Sequence, residues 1–219
     1  LYDGLVKGST VAVEVSERRA CVWGQGHLAL TPPKAPLDCG NSATTVRLLS
    51  GVIAGAGIAA VLDGDVSLRG RPMRRVLDPL REMGARVSAA PGARGEELAP
   101  LRFEAAGALR GLRHSLAIAS AQVKSCLLLA GLYASGPTWV REPETSRDHT
   151  ERMLRLFGAT IETSEGWIRI DPLRSPLRSP ARLPIPGDPS SAAFLIGAAL
   201  LAERGEVRIE GVDVNPTRT

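Results

Sequence analysis

Aromatic side chains are scarce in this sequence of 219 residues, at 4%. The core must therefore be aliphatic, and the stacking platforms that a single-stranded nucleic acid needs are missing. Lysine is scarcer still. Lys7, Lys34 and Lys124 are the only ones, so the net charge of +4 rests on arginines, which are scattered without a Lys/Arg block. That pattern speaks against a nucleic-acid surface and for arginine's bidentate fork, which matches carboxylate and phosphate oxygens. Cys21, Cys39 and Cys126 are widely spaced with no CxxC, which argues against a disulfide framework or a zinc site and for a reducing compartment. No apolar run is long enough to span a bilayer and no charged-then-apolar start marks a signal peptide, so no membrane partner and a cytoplasmic location are expected. What is present is ordinary for a globular chain, with 44% hydrophobic and 23% charged residues.

The most informative stretch is residues 37–55, LDCGNSATTVRLLSGVIAG. A short apolar run turns at Gly40, Asn41 and Ser42, and Val46, Leu49, Val52 and Ile53 then recur at helical spacing. This predicts a strand, a tight turn and a helix capped by Ser42, with Thr44, Thr45 and the first-turn amides facing whatever lies in front. A helix N-terminus favours an anion there, although a capped core helix has the same signature.

Before this stretch, residues 10–15 and 19–23 read as a hairpin, and residues 24–35 as a Gly/Pro-rich loop. After it come a strand at 58–63, a polar loop SLRGRP, and a helix with Pro72 in its first turn and Met73, Val76, Leu77, Leu80 and Met83 on its apolar face. Pro79 is expected to kink or strain that helix, and Gly84 to end it ahead of a strand. Residues 90–99 read as a polar loop and 101–104 as a strand.

The same layout then recurs. Ser120, Ala121 and Gln122 open a helix, 138–141 is a strand, 144–148 a polar loop carrying Arg147, and 149–157 a helix closed by Gly158 as Gly84 closed its counterpart. Residues 167–170 form the last strand of this cycle. A third opening, Gly187 to Ser191, in which Asp188 and the Pro-Ser-Ser after it read as a capping sequence, leads to an apolar helix and an expected strand at 206–210. The Pro-rich stretch 172–184 reads as a solvated loop at a domain crossing. An internal repeat of this size is one supersecondary unit used several times. It would bring several polar helix starts to one region, with Asn41, Thr44, Arg71, Ser120, Gln122, Lys124, Ser146 and Arg147 at equivalent places, resembling an oxyanion pocket. His27, His114 and His149 are isolated.

The blocks GNSATTVRLL, RGRPMRRVLDPLREMGA, ASAQVKSCLLLAGLYA, ETSRDHTERMLRLFGA, PGDPSSAAFLIGAALL and VNPTRT, in this order, resemble the signature blocks of the EPSP synthase family (3-phosphoshikimate 1-carboxyvinyltransferases). The resemblance implies an α/β fold, an inside-out α/β barrel built from repeated βαβαββ units. Residues 1–184 would form most of an N-terminal-type lobe and residues 185–219 the start of a C-terminal-type lobe. It implies transfer of the enolpyruvyl group of phosphoenolpyruvate to the 5-hydroxyl of shikimate 3-phosphate, with release of phosphate, on the route to chorismate and the aromatic amino acids. No cofactor or metal is expected, the partners are the two small substrates, and the full-length enzyme is expected to be a monomer.

Carried over by residue, the resemblance assigns Asn41, Ala43, Arg71 and Gln122 to phosphoenolpyruvate, and Ser120, Ala121, Gln122, Ser146 and Arg147 to shikimate 3-phosphate. The family's catalytic residues are expected before Leu1 and beyond Thr219, so this chain alone is expected to have little or no activity. Ala43 stands where many members have Gly, and the resemblance to the Ala-bearing, class II-like members implies a low sensitivity of the intact enzyme to glyphosate. Two alternatives remain: the sister enzyme acting on UDP-N-acetylglucosamine, whose donor-site loop should carry a Cys that residues 67–72 lack, and a non-catalytic ligand-binding or complementing lobe.

Overall fold

The structure, a computed structural model, describes residues 12–16, 19–24 and 26–218. The expectations for residues 1–11 lie outside the described residues. The first elements are strands β1 (Ala12–Ser16) and β2 (Arg19–Trp23), an antiparallel hairpin in the expected place.

Two units with the same order of elements follow. The first runs through β3 (Leu37–Asp38), helix α1 (Ala43–Ala56), β4 (Ala60–Asp63), a short α2 (Val66–Arg69), α3 (Arg74–Glu82), β5 (Val87–Pro91) and β6 (Glu97–Phe103). The second runs through β7 (Arg113–Ser115), α4 (Ala121–Gly131), β8 (Thr138–Arg141), α5 (His149–Leu156), β9 (Ile161–Ser164) and β10 (Trp167–Ile170). Their sheets have equivalent orders, β3-β4-β6-β5 and β7-β8-β10-β9. In each, the first strand is parallel to the second and the remaining pairs are antiparallel.

The repeat reaches atomic detail. At the end of α3, Gly84 N–H donates to Arg81 O and Ala85 N–H to Leu80 O; at the end of α5, Gly158 donates to Arg155 and Ala159 to Leu154. Both glycines are left-handed, with φ +104° and +84°, and thus satisfy the last carbonyls without a Cβ penalty. The arginine of each last turn then reaches the next strand, Arg81 to Val87 O and Arg155 to Ile161 O.

The core lies between the helices and the two sheets. Val46, Ile53, Leu62, Leu68, Leu77, Leu80, Leu101, Leu127, Leu128, Val140 and Ile170 are fully enclosed, and each such side chain contributes roughly 1.5–3 kcal/mol of burial. Helices α1 and α4 pack tightly, and a Cβ on Gly51 would lie 2.2 Å from Cys126 O. A side chain cannot enter that gap.

Four expectations need correction. Residues 90–99 are not a loop, because β5 and β6 continue the hairpin down to a turn at 92–96, with Gly92 N–H on Glu96 O at 2.7 Å. Residues 66–69 form a helical turn, since Asp65 Oδ1 accepts from Leu68 N–H at 2.8 Å and caps it. Pro72 lies ahead of α3 rather than in its first turn: Met73 is the N-cap residue and the helix runs from Arg74 through Pro79 to Glu82, its face of Val76, Leu77 and Leu80 buried. Residues 206–210 form no strand. They are almost wholly exposed, and the only pairing nearby among the described residues is the bridge between Gly187 and Val212.

The last helix, α6 (Pro189–Leu201), starts at the expected cap, with Asp188 Oδ1 accepting from Ser190 N–H at 3.0 Å. Of its residues only Ala192 is buried, and Phe194 and Leu200 are more than four-fifths exposed. Among the described residues no helix is long and apolar enough to cross a membrane.

Candidate functional site

The N-termini of α1 and α4 carry most of the residues singled out from the sequence. Ser42 caps α1, accepting from Thr45 N–H at 3.1 Å, and Ser120 caps α4, accepting from Val123 N–H at 3.4 Å. Each cap leaves further first-turn amides without intrahelical partners, on the positive end of a helix dipole.

Between the two helix starts, polar side chains form one network. Gln122 is held at both ends of its amide by α1: its Nε2 donates to Thr44 Oγ1 at 2.7 Å, and its Oε1 accepts from Arg47 Nη1. Arg47 Nη2 donates to the carbonyl of Pro72 at 3.2 Å, which fixes the loop before α3 against the start of α1. In that loop Arg71 Nη2 donates to Asn41 Oδ1 at 2.6 Å and to Ser67 Oγ at 3.3 Å. Of the predicted phosphoenolpyruvate residues, Asn41, Arg71 and Gln122 therefore belong to one constellation, joined through Arg47. Ala43 is the first residue of α1, and its methyl is buried.

Arg47 was not singled out from the sequence. Its signal was available, as a cation one turn after Thr44 in an otherwise apolar helix. Burial, then the like charges of Arg75 and Arg71, press its guanidinium below the ordinary arginine range. Three guanidinium groups thus share one region at the positive end of a helix. An anion would relieve that repulsion.

The predicted shikimate 3-phosphate residues form a second group beside the first. Ser120, Ala121 and Gln122 are half-buried at the start of α4. Ser146 lies across from Ser120, and both contact one carboxylate: Ser120 N–H and Ser146 Oγ–H donate to Glu142 Oε1 at 3.0 and 2.6 Å. The Ser146 proton is thus engaged, so its hydroxyl offers a ligand only acceptor lone pairs. Arg147 is exposed and has no hydrogen bond or ion pair among the described residues, so its donors are open.

Lys124 needs correction. The sequence places it in the anion pocket, but its side chain is 1% exposed and its ammonium is 2.8 Å from both Glu142 Oε2 and Glu151 Oε1. Already paired with two buried carboxylates, it is unavailable to a ligand. The contact with Glu151 lacks hydrogen-bond geometry, and neither Glu151 oxygen has a hydrogen-bond partner among the described residues.

His149 lies at the start of α5, with Nδ1 3.1 Å from Asn215 Nδ2 and Nε2 3.5 Å from Asp213 Oδ2. Asp148 beside it accepts from Asn215 Nδ2 at 2.7 Å, Thr217 Oγ1 at 2.8 Å and Arg152 Nε at 2.9 Å. The start of α5 is thereby tied to the 3-10 turn Pro216–Arg218. Among the described residues, no group of three or more His, Cys, Asp or Glu is placed to hold a metal ion.

Taken together, the two helix starts hold a cluster of cations and small polar groups suited to phosphate and carboxylate. The sequence profile of EPSP synthase (3-phosphoshikimate 1-carboxyvinyltransferase) matches residues 8–219. A 3-phosphoshikimate 1-carboxyvinyltransferase of Citrifermentans bemidjiense is 47% identical over 210 residues, 95% of this chain and 47% of the relative. One from Thermus thermophilus is 53% identical over 199 residues, 90% of this chain and 45% of the relative. The solved EPSP synthase of Acinetobacter baumannii superimposes with a TM-score of 0.85 at 40% identity, over 98% of this chain and 47% of that one. The chain spans about half the length of these relatives. Sequence blocks, repeated βαβαββ units and the match along nearly all of its length agree: the chain belongs to the EPSP synthase family.

Proposed function

We propose that this chain supplies one wall of a cleft in which the enolpyruvyl group of phosphoenolpyruvate passes to the 5-hydroxyl of shikimate 3-phosphate. In that transfer a C–O bond forms to the 5-oxygen, the C–O bond to phosphate breaks, and inorganic phosphate and the hydroxyl proton are released. The observation that carries the proposal is the network joining Arg71, Asn41, Arg47, Gln122 and Thr44 across two helix N-termini. Both substrates bear a phosphate and a carboxylate, and charge-assisted bonds from guanidinium groups and helix amides are the strong way to hold them.

In this reading Arg71 holds the phosphate of phosphoenolpyruvate, with most of its five N–H donors outside the bonds to Asn41 and Ser67. Arg47 adds charge from behind and holds Gln122 between the two substrates. Ser120 and Arg147 take the phosphate of shikimate 3-phosphate. Residues 1–184 belong to one lobe and residues 185–219 open a second, a division supported by the exposed apolar side chains of α6. No general acid or base is assigned within this chain, so its contribution is binding and orientation.

Calorimetric titration of shikimate 3-phosphate into the 219-residue chain tests the reading. Saturable one-to-one binding that weakens as salt rises is expected, because the contacts are charge-assisted. Heats no larger for shikimate 3-phosphate than for shikimate would contradict it.

A further inference from the structure

Glu142, just beyond the end of β8, is a buried carboxylate that the proposed chemistry does not use. Its side chain is 5% exposed. Oε1 accepts from Ser120 N–H at 3.0 Å and Ser146 Oγ at 2.6 Å; Oε2 lies 2.8 Å from Lys124 Nζ and accepts from Ser146 N–H at 3.4 Å. One carboxylate thus gathers four donors from three places: the residue that caps α4, the interior of α4, and the loop before α5.

A buried carboxylate is tolerated only when paired and hydrogen-bonded, and Glu142 has both kinds of partner. Its donors are not arbitrary. Ser120 presents its hydroxyl at the start of α4, and Ser146 precedes Arg147, whose donors are open. The distance between these two phosphate-facing groups is set by what holds their backbones, and Glu142 contacts both backbones directly. Lys124 fixes Glu142 in turn; Glu151, in the first turn of α5, lies against the far side of Lys124 without a hydrogen bond to it.

We infer that Glu142 is a positioning residue: it holds Ser120 and the Ser146–Arg147 loop at the separation needed to take one phosphate group, and Lys124 holds it in place. The inference rests on the proposed function for the identity of that phosphate but not for the brace itself. A preformed site of this kind lowers the ordering cost of binding, because the loop is already fixed when the ligand arrives.

The test compares wild type, Glu142→Gln and Glu151→Gln in the 15N-labelled 219-residue chain. Glu142→Gln turns an acceptor toward Lys124 and Ser146 N–H into a donor or leaves Ser120 without its partner. Glu151→Gln perturbs the same buried cluster without touching Ser120 or Ser146. In Glu142→Gln, the Ser120 and Ser146 amides should exchange with solvent at least tenfold faster, the interior of α4 at Cys126–Leu128 should keep its protection, and the Kd for shikimate 3-phosphate should rise at least tenfold. Glu151→Gln should lower the melting temperature while leaving those two amides and the Kd within about twofold of wild type. If Glu142→Gln does not fold, Glu142→Asp, which withdraws the carboxylate by one methylene, gives the same comparison.

Unchanged exchange at Ser120 and Ser146 in a folded Glu142 variant would overturn the brace. Faster exchange with an unchanged Kd, or an equal loss of binding in Glu151→Gln, would overturn the positioning role. Wild type that fails to bind shikimate 3-phosphate would overturn the proposed function and the ligand named here, while the exchange rates would still decide whether the brace exists.

Discussion

Replacing Lys124 with Met removes the cation that, among the described residues, pairs with two buried carboxylates. Lys124, Glu142 and Glu151 have side chains 1%, 5% and 3% exposed, so water screens none of them effectively. Met fills much the same volume, so the loss is electrostatic rather than steric. Leaving a buried charge uncompensated costs about 3–5 kcal/mol, and for a chain of this size each kcal/mol moves the melting temperature by about 2–4 °C. Thermal unfolding followed by circular dichroism should therefore show Lys124→Met melting roughly 6–20 °C below wild type. Adding Glu151→Gln to Lys124→Met should recover part of the loss, because one stranded charge is removed. Lys34→Met, at an exposed position, should stay within about 0.5 kcal/mol. A Lys124→Met protein that melts with wild type but loses ligand binding would refute the reasoning and return Lys124 to the anion pocket.

Four further outcomes follow from the structure. Gly51→Ala should cost about 2–3 kcal/mol in urea unfolding, since α1 and α4 must separate to admit a methyl against the Cys126 carbonyl. Burial, then nearby Asp38, raises the Cys39 thiol to about 11, and burial raises Cys126 further; alkylation of the native chain at pH 8 should therefore mark half-exposed Cys21 and spare both, as peptide mass mapping would show. For Asp148, burial alone would raise the carboxyl, but hydrogen bonds from Arg152, Asn215 and Thr217 outweigh it and hold the carboxyl below the usual range. Its stabilisation is therefore complete above the unfolded range near pH ~4 and lost as pH falls through the lower folded value, so Asp148→Asn should cost about 1–2 kcal/mol at pH 7 and progressively less on acidification, read from melting curves across pH. Ala43→Gly, at the buried start of α1, should tighten glyphosate binding about tenfold or more while leaving phosphoenolpyruvate binding nearly unchanged, as measured by parallel titrations; equal changes for both ligands would remove Ala43 as a discriminator.

The parts of the fold that were legible in the sequence are those written locally. Ser42, Ser120 and Asp188 announce their helices because a cap is chosen by residues within one turn, and Gly84 and Gly158 announce the ends because only a left-handed residue fits there. Pairings between distant segments were not legible. β7 at Arg113–Ser115 is three polar residues whose strand exists because β8 lies beside it, whereas residues 206–210 look like a strand and have no such neighbour among the described residues. The same limit applies at the site. Asn41, Arg71 and Gln122 were found through motif blocks, but Arg47 was passed over in a helix that otherwise reads as core. Lys124 was misplaced because its burial depends on Glu142 and Glu151, which come from two other elements.

The central claim is that the starts of α1 and α4 and the loop at Arg147 form a phosphate-binding surface. The most direct measurement is an amide chemical-shift titration of the 219-residue chain with shikimate 3-phosphate, using shikimate at equal concentration as the control. The account predicts saturable shifts centred on Ser120, Ala121, Gln122, Ser146 and Arg147, absent with shikimate. Shifts that fall elsewhere on the chain, or that are the same for both compounds, would contradict it.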